Sequence, residues 1–177
     1  MERVEPTRIM FAVSESKRYG YPHPSGISRR AFQWTLEKIV LNNTNAFRFS
    51  FIHVHSPGAT NAQSERNNIN GNALLQYFAN RCNERQINDY EVINVVGLHV
   101  GKIICKEAKR RMPILLIVGR IVQRQRPRTG LNRLTRIITG EVSKHCVKHA
   151  KCPVLTYKFS EEDNNLEELS YDLLVDT

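Results

Sequence analysis

The chain has 177 residues, 41% of them hydrophobic and 24% charged, enough to close one core that buries roughly two-thirds of the surface the unfolded chain exposes. That composition excludes a disordered chain, and no stretch approaches the ~20 apolar residues of a membrane span. The net charge of +9 is unevenly divided: residues 1–158 hold all 26 basic residues against 10 acids, and residues 159–177 hold 7 acids and no base.

Residues 8–14, RIMFAVS, are a short apolar run of the kind a buried strand uses. A Pro- and Gly-containing loop follows, and then Ser28, a good N-cap, before a helix with Phe32, Leu36, Ile39 and Val40 on one face. Trp34 falls off that stripe and is free to pack on a neighbour. Residues 46–55 alternate Phe47, Phe49 and Phe51 and then turn wholly apolar, which predicts a strand. The polar stretch 56–72 predicts a long mobile loop. Leu74, Leu75, Phe78 and Cys82 have helical spacing. Residues 90–97 form a β-branched strand, and residues 100–111 a helix whose terminal cations suit its dipole. Pro113 opens the most apolar run, ILLIVG; residues 140–150 predict a helix, and Pro153 leads a last strand. Unbroken apolar strands alternating with helices predict an α/β fold, a five-stranded parallel sheet with helices on both faces. Ligands in such sheets sit at the carboxyl ends of the strands, here after Val13, Val54 and Val118.

The expected organisation is one domain, 1–158, with an acidic tail, 159–177. Leu166, Leu169 and Leu173 lie near helical spacing and offer the tail a weak docking face. The tail is either a solvated terminus or a competitor for the basic surface. Acids at Glu2 and Glu5 and the lack of a long apolar core argue against a signal peptide. Cys82, Cys105, Cys146 and Cys152 are too sparse for a secreted disulfide scaffold and are expected to be reduced. The expected location is cytoplasmic with no membrane attachment, where the acceptor triplet Asn42-Asn43-Thr44 carries no meaning.

RIMFAVSES followed by PHPSGISRRAFQWTLEKIV resembles the start of plant universal stress proteins. FIHVH is similar to that family's second strand, CKEAKRRMPILLIVG to its third helix and fourth strand, and GEVSKHCVKHAKCPVLTYK to its final helix and strand. The resemblance runs from about residue 7 to 158 and implies an adenine-nucleotide-hydrolase-like, Rossmann-like fold. It also implies homodimers formed partly through the final strand, here Val154 to Lys158, and in many members bound ATP or AMP.

Nucleotide-binding members share a Gly-x2-Gly-x9-Gly-(Ser/Thr) motif. Gly130 and Gly140 keep the nine-residue spacing, whereas the first glycine is either replaced by Pro127 or is Gly119 with eight extra residues before Gly130. Glu141 stands in place of the Ser/Thr, and Ser14 in place of the aspartate frequent at the end of the first strand. The resemblance makes Ala12, Val13, Ser14, Val54, Gly119, Gly130, Gly140, Val142 and Ser143 the candidate nucleotide contacts, with the adenine side at the backbone of Ala12 and Val13 the less altered.

A helix N-terminus offers unpaired N–H groups and about half a positive charge to a phosphate. Glu141 lies in the first turn of that helix and can satisfy those groups itself. Its carboxylate would repel a phosphate at ~4 Å by about 1 kcal/mol in water and by several in a partly dry cleft; about 1.4 kcal/mol is ten-fold in affinity. Against this stand the Ser143 hydroxyl and a run of arginines, Arg120, Arg124, Arg126, Arg128, Arg133 and Arg136. That run suits nucleic-acid phosphates or an acidic partner, lacks aromatic residues for base stacking, and can equally pair with the tail. His145 and His149, four apart beside Cys146 and Cys152, read as ordinary packing rather than a metal site, and no catalytic motif appears. His53 and His55 read as partly exposed strand-end residues near the cleft.

The reading is therefore a dimeric, non-enzymatic stress-response or signalling protein with a degraded adenine-nucleotide site and no required cofactor. The alternatives are an ATP- or AMP-binding member, at most a slow ATPase, and a basic module for nucleic acid or acidic partners.

Overall fold

The computed structural model describes residues 5–122, 140–160 and 162–167. In chain order these form β1 (Thr7–Ala12), β2 (Glu15–Ser16), β3 (Gly20–Pro24), α1 (Gly26–Thr35), β4 (Phe47–His55), α2 (Asn61–Glu84), β5 (Tyr90–Val96), α3 (Val100–Arg111), β6 (Leu115–Val122), α4 (Glu141–His149) and β7 (Val154–Ser160). Five strands make one parallel sheet in the order β5-β4-β1-β6-β7, as the alternation of apolar runs and helices requires.

The two faces of the sheet bury different chemistry. Towards α1 and α2, Phe11, Phe32, Phe49, Phe51 and Phe78 interlock, with ring centroids 5.0 Å apart for Phe51–Phe78 and 5.1 Å for Phe32–Phe51. Towards α3 and α4, Met10, Ile52, Ile93, Ile104, Leu116 and Val118 make an aliphatic layer. Trp34, off the buried stripe of α1, packs on Tyr157 of β7 at 6.0 Å.

Four expectations are corrected. Residues 15–24 are not all loop: β2 and β3 pair as a small antiparallel hairpin. The N-cap of α1 is Ser25, whose hydroxyl accepts the Ser28 N–H; Ser28 already lies inside the helix. Residues 56–72 are mostly helical, because the Thr60 side chain accepts the Gln63 N–H and starts α2 there. His53 and His55 are buried, at 1% and 5% exposure, since the β2–β3 hairpin packs over the end of β4 and α2.

Residues 162–167 are helical and lie against the first turn of α1. Their attachment is polar, through Asn164 and Glu167, while Leu166 is 63% exposed. Leu169, Leu173 and most of the tail lie outside the described residues.

Candidate nucleotide cleft

The strand order reverses at β1, because β4 and β5 lie on one side of it and β6 and β7 on the other. Such a switch point leaves a crevice beyond the carboxyl ends of the two diverging strands, β1 and β6. Ala12 and Val118 are register partners at that end, and Val13–Ser14 and Gly119–Arg120 are the residues that follow them in the chain.

At the β6 end, Gly119 is required by close approach: a Cβ there would lie 2.9 Å from Ile27 Cγ1 in the first turn of α1. Gly140 begins α4 at φ +114°, a conformation that favours glycine. It supplies no side chain to cap the first-turn N–H groups of α4. Over it lies Arg120, whose Nε would be 3.1 Å from a Cβ on Gly140. Arg120 Nε is buried and has no hydrogen-bond acceptor among the described residues. A guanidinium donor left in this state is costly unless an acceptor fills the space.

Glu141 does not fold back onto the first turn as anticipated. Its exposed carboxylate pairs with Lys144 at 3.6 Å, an arrangement worth little in water. Ser143 is buried and donates its hydroxyl to the Gly140 carbonyl at 3.0 Å, so it braces the glycine rather than facing a ligand. Val142 is half-buried against the α3 side of the core. Gly130, Pro127, Arg124, Arg126, Arg128, Arg133 and Arg136 lie outside the described residues; of the arginine run, only Arg120 is placed.

At the β1 end the polar groups are largely spent on one another. Val13 gives its N–H to the Ile52 carbonyl at 2.9 Å, and its own carbonyl meets His53 Nδ1 at 3.0 Å. The Ser14 N–H donates to Ser28 Oγ at 3.1 Å, its carbonyl accepts the Ser25 N–H at 2.8 Å, and its hydroxyl lies 2.9 Å from Ser25 Oγ. Ser14 thus ties β1 to the start of α1. A carboxylate in its place would sit in the same ring of hydroxyls. Ala12 and Val54 are half-buried at the ends of β1 and β4.

His53 organises this end. The Val13 carbonyl can only accept, so the proton sits on Nδ1, and Nε2 of the neutral ring accepts the Tyr21 hydroxyl at 2.8 Å. Glu15 lies 3.9 Å from Nε2. Burial holds the His53 imidazole below its ordinary 6.5, a tendency the Val13 carbonyl and Glu15 partly offset. Burial and the Glu15 carboxylate push the Tyr21 hydroxyl up to about 12. Glu15, Tyr21 and Ser25 were not singled out by sequence. The signal was the Tyr- and Pro-bearing stretch between β1 and α1, but nothing in it says which distant side chain it meets.

The four thiols are free. Burial pushes Cys82 and Cys146 up to about 12, so both remain protonated and unreactive at neutral pH. The rings of His145 and His149 lie 4.4 Å apart, and among the described residues no three His, Cys, Asp or Glu side chains converge on a metal position. No helix among the described residues is long and apolar enough to cross a membrane.

Comparison with known proteins fits this geometry. Residues 8–158 match the profile of the universal stress protein family. A universal stress protein A-like protein of Arabidopsis thaliana is 37% identical over 169 residues, covering 87% of this chain and 91% of its own length. A crystal structure of an Arabidopsis thaliana universal stress protein family protein with AMP bound superposes with a TM-score of 0.65 at 37% identity, covering 89% of this chain and 95% of that one. The universal stress protein of Archaeoglobus fulgidus in complex with dAMP shares the fold at 16% identity, with a TM-score of 0.57 over 86% of this chain and 98% of that one. With the sheet order, the cleft and this likeness over most of the chain agreeing, the chain belongs to the universal stress protein family.

Proposed function

We propose that this member is a non-enzymatic stress-response or signalling protein whose cleft takes an adenine nucleotide, AMP in preference to ATP. One observation carries the reading: the buried Arg120 Nε, without an acceptor among the described residues, lies over the N-terminus of α4 at Gly140, a residue with no side chain to cap it. An anion there would satisfy both. The AMP bound to the Arabidopsis relative makes an adenine nucleotide the natural candidate.

The site is weakened at its phosphate end. Glu141 adds a negative charge in the first turn of α4, and each further phosphate adds to the repulsion. The Val13 backbone is already paired, so the base must find other groups. His53 is occupied by Val13 and Tyr21, and in this reading the cleft binds without turnover. The 1–158 body is the nucleotide-responsive domain in this reading, with 159–177 an appendage. In this reading the working form is a homodimer, paired along Val154 to Lys158 of β7, which is an edge strand of the sheet among the described residues.

Calorimetric titration of the intact protein with AMP and ATP tests the proposal. AMP binds, ATP binds at least about ten-fold more weakly, and Glu141→Ser narrows that gap. Equal affinities, untouched by Glu141→Ser, would sink it.

A further inference from the structure

The first turn of α1 is a wall of the cleft: Ser25 and Ser28 bond Ser14, and Ile27 packs on Gly119. Like any helix N-terminus it presents N–H groups that lack partners within the helix. One of them is taken by the tail. The Ile27 N–H donates to Asn164 Oδ1 at 3.0 Å, with Asn164 only 6% exposed. A Cβ on Gly26 would lie 3.0 Å from that oxygen and 3.2 Å from the Asn164 carbonyl, so the two segments are in full contact. Three residues on, Arg29, 7% exposed, donates to the Glu167 carbonyl at 2.9 Å and pairs with its carboxylate at 3.6 Å. Arg30 approaches the same carboxylate at 3.8 Å.

We infer that the first turn of α1, with Arg29 and Arg30, is an acidic-peptide site that the chain's own residues 162–167 occupy, and that this occupancy opposes phosphate at the adjoining end of the cleft. The charge balance favours this occupant: residues 162–167 carry three acids, Glu162, Asp163 and Glu167, and no base, against a 1–158 body of net charge +16. The competition is local as well as electrostatic. The tail holds the α1 turn whose Ile27 packs on Gly119, and its Glu167 carboxylate draws on Arg29 and Arg30 of the same turn. A nucleotide phosphate at the Arg120–Gly140 corner, next in the chain to Gly119, is coupled to the tail through that turn, and by linkage weakens the tail's hold to the same extent that the tail weakens it. This second half rests on the nucleotide reading above; the first half does not.

Both halves are tested in the full-length chain. An amide in the first turn of a helix is ordinarily unprotected, so slow hydrogen exchange at Ile27 reports the tail directly. Ile27 is protected in the native chain and loses that protection in Asn164→Ala, and the milder Glu167→Gln gives partial loss. AMP binds both variants more tightly, by about five-fold for Asn164→Ala. An unprotected Ile27 in the native chain overturns the tail site. Protection lost with AMP affinity unchanged overturns the competition. If AMP binds neither native chain nor variant, the nucleotide reading and the competition fail together, while Ile27 still decides whether the tail site exists.

Discussion

The two sides of the cleft treat their polar groups in opposite ways. At the β1 end, Val13, Ser14, Ser25, Ser28, His53 and Tyr21 close on one another in a continuous network. At the β6 end, Arg120 keeps a buried donor without an acceptor among the described residues, and Gly140 leaves the N-terminus of α4 without a side-chain cap. The first side satisfies its polar groups internally, and the second is the side on which the proposed anion would bind.

Breaking the closed side gives the largest expected effect. His53→Leu removes the partner of the Val13 carbonyl and of the Tyr21 hydroxyl in a site only 1% exposed, and should cost on the order of 3 kcal/mol in urea unfolding. Breaking the open side costs less stability and more binding. Gly140→Ala forces a Cβ into φ +114° and towards Arg120, a loss of roughly 1–3 kcal/mol, accompanied by weaker AMP binding in calorimetry. A loss of stability without a loss of binding would make Gly140 a purely structural glycine.

The smallest effect is a dependence on pH confined to the closed side. The folded-state value of His53 lies below 6.5, so the unfolded chain takes up the proton first. The contribution of His53 to stability is complete above pH 6.5 and is lost as pH falls from there towards the folded-state value. Protonation turns Nε2 into a donor, and Tyr21 can then offer its own proton to Glu15, which limits the loss. Unfolding midpoints measured at pH 7 and 5.5 should therefore fall more for the native chain than for His53→Leu. An identical fall in both would remove His53 from the account.

Much of the fold was legible because it rests on short-range apolar patterning. The phenylalanine alternation in β4, the apolar run of β6 and the stripe of α1 each point to one element and one face. The beginning of α2 was not legible. Between Asn61 and Asn72 its only Ala or Ile are Ala62 and Ile69, among Asn, Gln and Ser, and it is held as helix by the Thr60 cap and by continuity with the Leu74–Cys82 stripe. The cleft was legible only by position along the strands. That Tyr21 meets His53, 32 residues away, or that Asn164 meets Ile27, 137 residues away, depends on how the elements pack, and no local spacing encodes it. Glu141 shows the same limit: its place in the first turn was readable, but its pairing with Lys144 was not.

The single tryptophan gives the molecule an optical probe of its own. Trp34 sits on α1, 6.0 Å from the Tyr157 ring on β7, well within the range over which tyrosine passes excitation to indole. The first turn of the same helix touches Gly119 at the cleft and Asn164 of the tail. One fluorophore is therefore wired to the sheet edge, to the cleft wall and to the acidic tail. Its emission on tyrosine excitation should follow movement at any of the three without a label being attached.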